Sequence, residues 1–171
     1  MMDAGLQVEV PTLTAADKCT PGELITYSWR KATFLGLVIE PREQSSGAEV
    51  LALAEAGSTS VPRSATYLTN ISDIRKAAGA FHLKVGTEFD MVFPPPLVGL
   101  NTATLIVDDE SAPWVLSSDQ YHDWWTNPAN GARTQMPVMK RHRGFDSWSI
   151  WREVGETHER IATATSAGDE D

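Results

Sequence analysis

The sequence predicts an α+β fold that is mainly β: a small antiparallel sheet or barrel-like β domain with two short helices and flexible termini. Two observations carry this expectation. About eight short segments rich in β-branched and aromatic residues are divided by Pro, Gly and polar clusters, the punctuation of short strands. Nowhere does a strand alternate with a long helical period, which speaks against a parallel α/β fold. At 171 residues and 42% apolar content the chain is long enough for one buried core, so wholesale disorder is excluded.

Residues 1–20 mix Thr, Ala, Asp and Pro without periodicity and read as an N-terminal arm. Pro21-Gly22 is a turn signal, and Glu23–Trp29 after it reads as a strand. Arg30-Lys31 forms a charged turn into Thr33–Glu40, an apolar run expected to be buried on both faces or to lie mid-sheet. After a polar loop from Pro41 to Gly47, Glu49–Leu53 returns as a third strand, and Thr66–Leu68 is a short extended piece. A first helix is expected next: Asn70 or Ser72 caps it, Ile71, Ile74 and Ala78 share a face, and Gly79 stops it.

Phe81–Val85 and Glu88–Phe93 both alternate and read as a hairpin through Gly86-Thr87. Pro94-Pro95-Pro96 marks a sub-boundary. Beyond it lie the strands Thr102–Val107 and Trp114–Leu116. A second helix capped by Ser118 is expected to bring Tyr121, Trp124 and Trp125 onto one face before Asn127-Pro128 ends it. Met136–Arg143 reads as extended. Phe145–Val154 reads as a strand with Trp148, Ile150 and Val154 on one side, although a helix would align Phe145, Trp148 and Trp151. The resulting layout is an arm at 1–20, one domain at 21–154 and an acidic tail at 155–171.

The formal net charge of −9 excludes a generally basic nucleic-acid coat. A single cysteine, Cys19, excludes an internal disulfide and zinc sites built on several cysteines. Phosphate-binding glycine loops, the zinc-protease helix motif, the nucleophile elbow and the calcium loop are absent from the sequence. No apolar run approaches the roughly 18 residues of a membrane span. The first residues lack a basic and apolar leader, so a cytoplasmic protein, or one built into a particle assembled there, is expected. No cofactor and no membrane partner are expected.

Four constellations remain. Six Trp occur, and five of them follow residue 113. Trp, Tyr and Arg anchor protein interfaces, so Trp114, Tyr121, Trp124, Trp125, Trp148 and Trp151 are the candidate contact residues. They point to a non-catalytic interaction protein or structural subunit that binds a protein partner or itself.

The alternative is a nucleic-acid-binding module. Lys140, Arg141 and Arg143, with His142, would neutralise phosphates while Trp148 and Trp151 stack on bases. The third reading is a metal-dependent hydrolase built on Asp108, Asp109, Glu110, Asp119, His122 and Asp123. Adjacent Asp108 and Asp109 on an extended chain point to opposite sides, which leaves that set thin, and no catalytic centre or metal is expected. Cys19, paired with His82, His122, His142 or His158, would make a thiol nucleophile and base, but a lone cysteine is more often a small apolar filler.

Overall fold

Among the described residues, strand-forming alternation in the first half builds the first of three antiparallel sheets. A computed structural model describes residues 13–41, 47–62, 64–91, 105–108, 110–118, 123–135 and 142–164. The first sheet contains β1 (Leu24–Trp29), β2 (Ala32–Ile39), β3 (Glu49–Glu55), β4 (Ala65–Tyr67) and β5 (Ser72–Lys76), in the order β4-β3-β2-β1-β5. Arg30 and Lys31 turn the β1–β2 hairpin with φ of 47° and 69°, the primed geometry that suits strand twist.

Successive residues of β2 and β3 serve two different apolar clusters. Leu35, Leu37, Ile39, Leu51 and Leu53 face one side, whereas Phe34, Val38, Val50 and Ala52 face the other with Tyr27 of β1. This is the physical reason for the unbroken apolar run in β2. At Gly36 a Cβ would fall 2.7 Å from Tyr27 Cε1, so glycine gives that ring room to stack on Phe34.

The remaining strands are β6 (Ala80–Val85), β7 (Glu88–Met91), β8 (Leu105–Val107), β9 (Pro113–Ser118), β10 (Asp123–Thr126), β11 (Arg133–Thr134), β12 (His142–Phe145), β13 (Trp148–Val154) and β14 (Thr157–Ala164). They form a six-stranded sheet, β11-β10-β9-β8-β12-β7, and a three-stranded sheet, β14-β13-β6. Both contribute to the main core: Leu105, Val115, Phe145, Trp148, Ile150, Ala162 and Ala164 join the leucines of β2 and β3. The packing is sheet on sheet.

The two later sheets are continuous through a corner. Val85 pairs with Trp148 and Glu88 with Phe145, with no residue gained or lost between them. Gly86 N donates to Ser147 O at 2.8 Å, and Asp146 N donates to Thr87 O at 3.3 Å. Residues 80–91 and 142–154 are therefore one antiparallel ribbon that bends from one sheet into the other.

Several expectations need correction. The architecture is mainly β with several antiparallel sheets, and among the described residues no barrel closes. Neither expected helix exists among the described residues, where the helical pieces are 3-10 turns at Ala16–Lys18 and Leu68–Asn70. Residues 72–76 form β5 instead, because pairing with β1 outweighs a weak helical period whose third member, Ala78, is exposed. In place of the second helix, Asp123–Thr126 pairs with β9, which sends Trp124 and Trp125 to opposite faces; Tyr121 lies outside the described residues. The Gly86-Thr87 hairpin is the ribbon corner, and β6 and β7 pair with β13 and β12 rather than with each other. Residues 157–164, read as tail, are β14, because Ala162 and Ala164 fill the core. Phe145–Val154 holds a strand, with Trp148 and Ile150 inward but Val154 exposed. Residues 1–12 of the arm and Pro94-Pro95-Pro96 lie outside the described residues. No described helix is long and apolar enough to cross a membrane.

The loop between β10 and β11 locks the layers at one end. Asn127 Oδ1 accepts the Ala129 N–H, Gly131 N donates to Asn127 O, and Gly131 O accepts the Glu40 N–H. Gly131 has φ of 74°, and a Cβ there would lie 2.4 Å from Val38 O and 2.5 Å from Gly22 N. Both obstacles are backbone and cannot turn aside. Gly131→Ala should lower the unfolding free energy by about 3 kcal/mol, the combined order of a left-handed residue and an overpacked contact, measured by urea denaturation.

Candidate functional site

The six aromatic candidates are dispersed rather than gathered. Trp148 is buried in the main core, and Trp125 is buried with Ile106 and Leu116 on the other face of the six-stranded sheet. Trp114 borders that second group, half-buried, and its Nε1 donates to Asp108 Oδ2 at 2.9 Å. Trp124 is half-buried beneath the Arg133 guanidinium, whose centre stands 4.4 Å from the ring centroid. That guanidinium also donates through Nη1 to Glu49 Oε2. The Glu49 side chain is 0% exposed and that of Arg133 2%, so this ion pair joins β3 to β11 inside the protein.

The acidic cluster resolves into a turn. Asp108 Oδ1 accepts the N–H of Glu110 at 3.0 Å and of Ala112 at 2.8 Å, while Oδ2 holds the Trp114 indole. Partial burial pulls the Asp108 pKa up, but the bonds from Trp114, Ala112 and Glu110 outweigh it and hold the carboxyl below its ordinary range. Asp108 thus spends its acceptor capacity on the β8–β9 connection. Asp109, Asp119 and His122 lie outside the described residues. Among the described residues no group of three or more His, Cys, Asp or Glu is arranged to hold a metal.

Lys140 and Arg141 also lie outside the described residues, and Arg143 is exposed in β12. Cys19 is buried in the cluster behind the first sheet, and its Sγ lies 3.7 Å from Ala15 O. Burial, followed by the charge of Glu23, pushes its thiol pKa up, which disfavours the thiolate that a nucleophile needs.

Trp151 is placed differently. In β13, Trp148 and Ile150 point into the core, so Ser149, Trp151 and Glu153 point out. The register sets Trp151 between His82 of β6 and Arg160 of β14, and Glu153 beside His158. Lys84 Nζ lies 3.8 Å over the Trp151 ring, and the indole N–H donates to Ser149 Oγ at 2.9 Å. Glu153 takes an imidazole on each oxygen: His82 Nε2 at 3.1 Å from Oε2 and His158 Nδ1 at 2.8 Å from Oε1. These two histidine side chains are 52% and 60% exposed. The His82 hydrogen bond, opposed by slight desolvation and helped by the charges of His158, His82 and Lys84, lowers the Glu153 pKa. On the opposite face Arg152 pairs with Glu159 at 2.7 Å.

Sequence reasoning singled out Trp151, weighed His82 and His158 only as bases for Cys19, and missed Lys84, Glu153 and Arg160. The signal was present in part. Alternation in Phe81–Val85 already puts His82 and Lys84 on one side, and Gly155, at φ of 60°, opens the tight turn between β13 and β14. No protein-family model matches this chain, and neither does any curated protein or solved structure.

Two outcomes follow from the polar contacts. Glu49→Gln leaves the Arg133 charge buried without its counter-ion and should cost about 3–5 kcal/mol, whereas Glu49→Leu combined with Arg133→Met should recover most of that loss in chemical denaturation. Asp108→Ala should cost about 1–2 kcal/mol near neutral pH, as removal of a capping carboxylate does. Because the folded-state pKa of Asp108 is depressed, its contribution is present above the unfolded value near 4 and is lost as pH falls through the folded value. The gap between wild type and variant should therefore close in acid-titrated melts; a gap unchanged down to about pH 2 would contradict the role given to the ionised carboxylate.

Proposed function

We propose that this chain works by binding, as a non-catalytic protein–protein interaction module or structural subunit of a larger assembly. Its contact surface is the outer face of β6, β13 and β14, with Trp151 at the centre. The supporting observation is the position of Trp151. Among the five candidate aromatics in the described residues, it is the one that stands on a sheet face among exposed polar side chains. Trp125 and Trp148 are occupied as core, Trp114 by Asp108, and Trp124 by the Glu49–Arg133 pair.

Trp presents a large amphipathic surface with few rotatable bonds, so burying it against a partner gains much for little ordering cost. Three strands spaced about 5 Å apart and seven residues long offer roughly 350 Å². That is below the ~800 Å² per partner of a standard interface, so the face suits one segment of a partner or the centre of a wider footprint.

Size-exclusion chromatography with light scattering on natively purified protein tests this reading. A discrete co-eluting protein or a self-assembly is expected. Trp151→Ala should weaken it by about 2 kcal/mol while the variant still melts cooperatively, and contrast with a neutral Arg30→Ala control on the β1–β2 turn. Assembly that survives in Trp151→Ala would remove this face as the contact surface.

A further inference from the structure

We propose that the outer face of β6, β13 and β14 receives an acidic, extended segment of a partner protein, and that its grip tightens as pH falls. This rests on the reading of that face as the contact surface and adds the partner's chemistry and a regulation. The charged groups facing it come from all three strands: His82 and Lys84 from β6, Glu153 from β13, and His158 and Arg160 from β14. Arg152 and Glu159 pair on the opposite side and stay out of the count. With both imidazoles neutral, two cations stand against one carboxylate. Protonating both adds two positive charges to a face only three strands wide, in a chain whose formal net charge is −9.

The geometry aims that change outward. Glu153 already engages Nε2 of His82 and Nδ1 of His158. The opposite ring nitrogens, Nδ1 of His82 and Nε2 of His158, have no partner among the described residues. A proton taken up there creates an N–H donor directed away from Glu153, where an incoming carboxylate can accept it. Imidazole is the side chain whose charge changes between pH 5 and 8, while Asp and Glu of a partner remain ionised over most of that range. Glu153 stays an anion throughout, because the His82 hydrogen bond and the surrounding cations lower its pKa. It anchors both rings, and its single negative charge is outweighed by Lys84, Arg160 and the protonated imidazoles. Lys84, held over Trp151, and Arg160 supply attraction that does not depend on pH.

The test is fluorescence anisotropy of a dye-labelled ten-residue Asp/Ser peptide titrated with the full chain at low ionic strength. Between about pH 8 and pH 5.5 the affinity should rise roughly tenfold, the effect of two modest exposed charge contacts. His82→Gln with His158→Gln, both at exposed positions, should abolish the rise and keep the weaker binding. Lys84→Gln with Arg160→Gln should weaken binding at both pH values. A pH-independent affinity, an undiminished rise in the histidine double variant, or equal binding of a Lys/Ser peptide would overturn the proposal.

Trp151→Ala, assayed in parallel for loss of the native assembly, separates the two readings. Loss of the assembly without any acidic-peptide binding sinks the acidic-partner inference and leaves the contact face standing. An intact assembly together with pH-dependent peptide binding supports the acidic site and moves the assembly contact elsewhere.

Discussion

A carboxylate withdrawn from water needs an answering charge within reach, and for Glu49 that charge is Arg133, brought from 84 residues away. Desolvating each ion costs several kcal/mol, so the pair's main contribution is constraint rather than net stability. If β11 slides along its neighbour, two charges are left buried and apart. The same guanidinium lies on Trp124, and the loop leading to it packs its backbone against Gly22 and Val38. The relation of the first sheet to the six-stranded one thus depends on this contact at one end and on the shared leucine-rich core along its length.

With that relation set, the polar surfaces divide by task. Asp108 is consumed in holding a turn and an indole, and the Arg30–Lys31 turn covers Trp29. The three-stranded outer face is different, because its side chains interact with one another while His82, Lys84, His158 and Arg160 stay exposed around a half-buried Trp151. Cross-strand pairs of this kind hold a surface in shape without removing it from solvent. A preorganised patch loses less freedom when it meets a partner, which favours recognition over chemistry.

Legibility in the sequence followed the range of the forces involved. The β1, β2 and β3 strands were readable to within a residue or two, because alternation and flanking turns are local. β5 and β10 were not, since three apolar residues at helical spacing look alike whether the neighbour is one turn away or a strand away. Asp123–Thr126 became a strand only through β9, and the consequence was that Trp124 and Trp125 parted company across the sheet. β14 was hidden by its charges: Thr157–Arg160 is polar on both sides, and its core contacts come only at Ala162 and Ala164. Of the candidate site, Trp151 was legible by residue type. Its imidazole, carboxylate and lysine neighbours depend on the pairing of residue 82 with residue 151, which no local pattern encodes.

The bent ribbon carries a consequence for the order in which the chain acquires structure. Strands β1 to β5 all lie within residues 24–76 and find their partners close by, so this sheet can assemble early, even on a ribosome. The corner cannot. Gly86 and Thr87 must wait for Asp146 and Ser147, some sixty residues later. Until then Leu35, Leu37, Ile39, Leu51 and Leu53 present a bare apolar face with no second layer above it. That interval is when a nascent chain is most exposed to sticking to its neighbours, and it gives a chaperone a defined surface and a defined time at which to intervene.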